Sequence, residues 1–247
     1  RTAIIQNYNL SLSNSNQKSS YYASVGYNNT EGIIMNSGVE RITGRFNADY
    51  QLFNKLKVGY QASLTWRNQD QNKASLGGTS ASTAAVYLSP RIKVTDYTNE
   101  DYAEGTLINS PYTTALLNTK IQQRLSVIQM LWGELEIIKG LKLRLQGSYY
   151  PFQVHQYSYN PSILPKSQKE GIGGQAGRSE IDSYALSTEN TLNYKFKLKK
   201  YHNFDLLAGI TAYSYKDNTL NASGSGYVDD KLKWNNLAGV QDKNTYS

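Results

Sequence analysis

The 247-residue chain contains no cysteine, which removes disulfides, thiolate metal sites and cysteine nucleophiles together. Its net charge of +7 raises nucleic-acid binding as a class, yet lysine and arginine are spread along the chain and cluster only at 195–200 (KFKLKK), which reads as a solvated turn. Hydrophobic residues make up 39% and mean hydropathy is −0.58, with no run near the roughly 18 apolar residues that a membrane helix needs. A helical membrane bundle is thereby excluded, whereas a β-barrel, whose strands turn every second residue to a polar lumen, is not.

In chain order, residues 2–13 alternate, with Tyr8, Leu10 and Leu12 against Asn7, Asn9, Ser11 and Ser13. The polar run 14–18 (NSNQK) predicts a turn, and Tyr21, Ala23, Val25 and Tyr27 carry the return strand. After a polar connection at 28–38, a third strand sets Ile42, Phe46, Ala48, Tyr50 and Leu52 against Arg41, Thr43, Arg45, Asn47, Asp49 and Gln51. A tight turn at 53–55 leads into the strictest alternation in the chain, 56–67 (LKVGYQASLTWR). Leu56, Val58, Tyr60, Ala62, Leu64 and Trp66 share one face, and Lys57, Gly59, Gln61, Ser63, Thr65 and Arg67 the other. A soluble strand is usually about 5–6 residues long, and a tilted membrane strand needs about 9–11.

The pattern breaks over about 69–120, a long loop with Gly77-Gly78, Pro90 and Pro111. Strand five follows, with Leu125, Val127, Leu131, Leu135 and Ile137 on one face, although Ile128, Met130 and Trp132 blur its polar side. Lys139-Gly140 turns into strand six, where Leu141, Leu143, Leu145 and Tyr149 oppose Lys142, Arg144, Gln146 and Ser148. A second long loop is expected over 156–182; its GIGGQAG run (171–177) lacks the Lys-Ser/Thr of a phosphate loop. Strand seven carries Tyr184, Leu186, Leu192, Tyr194 and Phe196, and strand eight Phe204, Leu206, Ala208, Ile210 and Ala212, with loop-like sequence from Lys216 onward. Connections thus alternate short and long. Successive connections fall at opposite ends of a barrel, so this asymmetry predicts short periplasmic turns and long extracellular loops. The expected fold class is all-β, an antiparallel transmembrane β-barrel segment of about eight strands. A soluble sandwich offers no reason for such asymmetry.

The sequence NYNLSLSNSNQKSSYYASVGYNNTEGII (7–34), continuing through RITGRFNADYQ (41–51) and LKVGYQASLTW (56–66), resembles the SusC/RagA-like TonB-linked outer-membrane proteins of Bacteroidota. The pieces SPYTTALL (110–117), EIIKGLKLRLQGSYY (136–150), NTLNYKF (190–196) and HNFDLLAGITA (202–212) stand in that family's order. The resemblance implies a plugged barrel of about 22 strands, here as part of one barrel domain over residues 1–247. It implies import of oligosaccharides or peptides energised by the TonB complex, with a SusD-like surface lipoprotein as lid. The family's plug domain, TonB box and N-terminal extension are not in this sequence, and both ends read as cuts in a longer chain. The alternative on the same fold is a non-transporting outer-membrane scaffold or assembly partner.

Candidate site residues follow from the faces. Arg41, Arg45, Asp49, Lys57, Arg67, Lys142 and Arg144 are expected to face the lumen, and Val58, Tyr60, Leu64, Trp66, Leu143 and Leu145 the membrane lipid. Tyr97, Tyr102 and Tyr112 in the first long loop, with Tyr157 and Tyr159 in the second, are the candidate contacts for a glycan or peptide substrate or for the lid. No enzyme is expected. The only histidines, His155 and His202, lie near opposite ends of their strands, His202 reading as a periplasmic turn residue. No cofactor or nucleic-acid partner is expected. Asn99-Glu100-Asp101 and Asp229-Asp230 offer hard oxygen ligands for Ca²⁺, although a solvated loop is the plainer reading of both.

Overall fold

The computed structural model describes residues 2–34, 36–71, 115–164, 167–168, 171–199, 201–227, 229–237 and 242–246. Among the described residues nine strands follow one another: β1 (Ile5–Ser15), β2 (Ser19–Glu31), β3 (Ser37–Phe53), β4 (Leu56–Gln71), β5 (Thr119–Ile138), β6 (Leu141–Asn160), β7 (Gly174–Leu198), β8 (His202–Tyr227) and β9 (Asp242–Tyr246). They form a single antiparallel sheet in sequence order, each strand bonded to its neighbours in the chain. A meander of this kind needs only hairpin connections, whereas parallel strands would require long crossovers.

The alternation seen along each strand survives across the sheet because the registers agree. Tyr8 pairs with Tyr27, Tyr27 with Ile42, Ile42 with Trp66 and Trp66 with Leu125, all on the apolar face. Nearer the other end, Leu56 pairs with Leu135, Leu135 with Leu143, Leu143 with Leu192 and Leu192 with Ala208. A slip of one residue in any pair would have put half of this face on the polar side. Many of these side chains are exposed, among them Leu145, Leu206 and Ile210, the last 70% exposed. The described residues therefore build almost no apolar core and present one broad apolar face instead.

Short turns join β1 to β2, β3 to β4, β5 to β6 and β7 to β8 at one end. Gly140 turns the third of these hairpins with φ +84°, a left-handed conformation that a side chain disfavours. The longer connections lie at the opposite end, and there the structure differs from the sequence reading. The second long loop occupies only 161–173, because β6 runs on to Asn160 and β7 starts at Gly174. Likewise β8 continues past Lys216 to Tyr227, and β9 adds a ninth strand to the expected eight. Small and polar residues in 174–182 and 216–227 hid these extensions. With no lipid to face, that part of the sheet needs no apolar alternation. β8 has 26 residues, about 80 Å of strand, far more than a bilayer requires.

Candidate functional site

Over β3 to β6 the polar face holds two distinct charge arrangements. Near the short-turn end, Lys57 lies 3.5 Å from Asp49, Lys142 2.9 Å from Glu134 and Arg144 3.9 Å from the same glutamate. Ser20 also donates to Asp49 at 3.1 Å. At the centre of this network stands Trp132, whose presence on the polar side had blurred the reading of the fifth strand. Its register partner is Gly59, and the indole lies against that bare Cα. A Cβ at position 59 would sit 2.5 Å from both Cζ2 and Nε1 of Trp132. Arg144 lies over the indole at 4.2 Å and Lys57 at 5.5 Å, both within cation–π range. Trp132 is only 7% exposed despite facing the polar side. Gly59, a glycine in mid-strand, was the available signal of this close approach.

Farther toward the long-connection end the balance changes. Arg41 pairs with Arg67 and Arg67 with Arg124, so three arginines stand side by side across β3, β4 and β5. Arg67 donates to Gln122 Oε1 at 2.9 Å, while its Nε is buried without a partner among the described residues. Arg124 donates weakly to Ser126 Oγ at 3.4 Å and lies 4.4 Å over the Phe152 ring. Arg41 and Arg45 border a polar groove with Asn28 and Thr43 and form no ion pair among the described residues.

The projecting ends of β6–β8 carry a small water-excluding cluster. Tyr159, Ala176 and Tyr227 are buried there, with Trp234 and Leu237 packed against them. Tyr159 meets Tyr227 edge-on at 5.8 Å, and its hydroxyl donates to Asp230 at 2.7 Å. Asp230 also accepts from the Ser162 amide at 2.9 Å and the Ser162 hydroxyl at 3.0 Å. Burial and the Asp230 hydrogen bond push the Tyr159 phenol above its ordinary pKa, at a level of β6 beyond the apolar band. Tyr157 stacks on Trp234 at 5.5 Å, with Arg178 5.6 Å over the Tyr157 ring.

This geometry revises two of the tyrosine expectations. Tyr157 and Tyr159 are strand residues of β6, not loop residues. Tyr159 is 1% exposed and packs edge-on against Tyr227. Both stand on the same side of β6 as Leu141 and Leu143, away from the arginine row, as the two-residue period requires. Tyr97, Tyr102, Tyr112 and the Asn99–Asp101 triplet lie outside the described residues. Val58, Tyr60, Leu64, Trp66, Leu143 and Leu145 share the apolar face. Arg41, Arg45, Asp49, Lys57, Arg67, Lys142 and Arg144 share the polar one. His155 lies toward the long-connection end of β6, and His202 opens β8 at the short-turn end. No group of three or more His, Cys, Asp or Glu side chains suited to a metal occurs among the described residues. The sequence reading missed Arg124, Glu134, Tyr227 and Trp234. The first two had the right parity but sat in a strand whose polar side was blurred, and the last two lay in a stretch read as loop.

An open antiparallel meander with one apolar face, one charged face and all its short turns at one end is barrel wall. Among solved structures, the RagAB peptide importer in its closed-closed state matches at a TM-score of 0.75 and 22% identity, over 97% of this chain and 28% of that one. The fold is that of a barrel segment of a SusC/RagA-like receptor. The RagAB peptide transporter matches the sheet at a TM-score of 0.75 and 24% identity, over 98% of this chain and 28% of its own. The siderophore receptor PiuA from Acinetobacter baumannii matches more loosely, at 0.51 and 12% identity, over 90% of this chain and 29% of its own. Among curated proteins, TonB-dependent receptors P26 and P3 of Formosa agariphila are each 24% identical, over 96% of this chain. The chain spans about a quarter of the length of these curated relatives. No family model matches it.

Proposed function

We propose that this SusC/RagA-like sheet is wall of a TonB-dependent outer-membrane importer that takes up oligosaccharides or peptides together with a SusD-like surface lipoprotein. The observation that carries the reading is the match of the whole meander to the RagAB peptide importer over 97% of the chain. Physical dimensions support it. Leu56 to Trp66 covers about 33 Å of strand at about 3.3 Å per residue. A tilt near 40–45° reduces this to about 25 Å, the height of a lipid-facing apolar band. The polar face then lines the lumen, the short turns are periplasmic and the long connections extracellular. Tyr97, Tyr102 and Tyr112 remain the proposed contacts for substrate or lid.

Uptake of labelled oligopeptides and oligosaccharides by cells carrying the full-length protein tests this reading. Uptake that stops on loss of TonB, with a surface lipoprotein co-purifying with the receptor, is the expected result. Accumulation unaffected by loss of either the receptor or TonB would overturn import and leave a scaffold on the same barrel.

A further inference from the structure

The row Arg41–Arg67–Arg124 is unusual in energetic terms. Directly opposed side chains in an antiparallel sheet stand about 5 Å apart, and like charges at that spacing destabilise the pairing. Here two such oppositions follow in succession. From β2 to β6 the polar-face positions level with this row and beyond it, toward the long connections, contain no carboxylate. The carboxylates that form ion pairs on this face between β3 and β6, Asp49 and Glu134, sit nearer the short turns and are engaged by Lys57, Lys142 and Arg144. Guanidinium groups bind carboxylates in a bidentate fashion, and Arg67 holds a buried Nε without a partner among the described residues.

We propose that this row is a binding site for an anionic solute bearing two or more carboxylates. It rests on the lumenal assignment of the polar face made above. Arg41 to Arg124 spans about 10 Å of sheet. Carboxylates on alternate residues of an extended peptide recur about every 7 Å, so at least two of them fall within reach of the row. Bound anions relieve the repulsion that the empty row carries, so affinity comes from a strain already present. The arginines stand on the extracellular half of the wall, where a solute entering from outside meets them first.

The test uses the full-length receptor in outer-membrane vesicles, with triglutamate, trigalacturonate and triglutamine as probes. Triglutamate or trigalacturonate is expected to bind at least about tenfold more tightly than triglutamine at low salt, with the preference shrinking as salt rises. Arg67→Gln and Arg124→Gln should each remove most of that preference without altering triglutamine binding, and Arg67→Lys should keep much of it. The two acidic probes separate a peptide from a glycan source. Heat-modifiable migration on gels establishes that each variant is folded. An acidic preference unchanged in the folded glutamine variants would overturn the proposal. So would equal binding of all three probes, or a loss of barrel stability in Arg67→Gln without ligand, which would mark the row as a holder of a carboxylate from the protein itself. TonB-dependent uptake is scored separately, so failed import with intact acidic binding refutes the importer and leaves this site standing.

Discussion

The contact between Gly59 and Trp132 yields a sharp prediction, because a single methyl group should eject an indole. An alanine Cβ at position 59 would stand 2.5 Å from Trp132 Cζ2 and Nε1, too close for the ring to keep its place. A buried aromatic covers about 200 Å² at about 25 cal/mol per Å², or roughly 5 kcal/mol of burial at stake. Partial displacement costs less, about 1–3 kcal/mol for an overpacked site, with about 1 kcal/mol more for the lost approach of Arg144 and Lys57 to the ring. Against this, replacing glycine within a strand stabilises by about 0.5–1 kcal/mol. The expected net cost of Gly59→Ala is therefore about 2 kcal/mol. The decisive assay is a double-mutant cycle by urea unfolding of the full-length protein in lipid vesicles. With Trp132→Ala as background, Gly59→Ala should stabilise by about 0.5–1 kcal/mol, giving a coupling of about 3 kcal/mol. Equal costs of Gly59→Ala in both backgrounds would refute the reasoning and place the indole elsewhere.

Three further outcomes follow from the two faces and the outer cluster. Leu131→Arg puts a charge at the middle of the apolar face and should cost about 2–4 kcal/mol, read as a lowered urea midpoint of the folded barrel, whereas Ser148→Arg on the opposite face should be nearly neutral. Glu134→Gln removes the partner of Lys142 and Arg144, whose side chains are 49% and 38% exposed. Screening limits its cost to about 1 kcal/mol or less, and that cost should vanish in high salt if the pairs act electrostatically. Asp230→Ala leaves the buried Tyr159 hydroxyl and the Ser162 amide without an acceptor. It should loosen the 161–164 and 229–237 segments by about 2 kcal/mol, detected as faster limited proteolysis there with the barrel midpoint unchanged. Unchanged cleavage would show that the aromatic contacts alone hold those segments.

The existence of β1 to β8, their faces and the short-long order of connections were legible in the sequence, because a side-chain period of two is a local property of extended backbone, whereas β9 was not. Within the apolar band each strand must satisfy lipid on one side and water on the other, so Leu56 to Trp66 declares both faces by itself. The strand extensions from 156 to 160, 174 to 182 and 216 to 227 were not legible. Beyond the bilayer neither face is constrained to be apolar, and the period disappears from the sequence although the hydrogen-bonded ladder continues.

What only the tertiary structure decided is register. The sequence by itself placed Gly59 and Trp132 on polar sides, Arg41, Arg67 and Arg124 in separate strands, and Tyr159 far from Asp230. Which residues stand opposite one another depends on how each hairpin closes, and a shift of two positions would keep every face intact while dissolving the arginine row. Alternation fixes a residue's side of the sheet. Only the pairing across strands fixes its neighbours, and with them the charge a passing solute would meet.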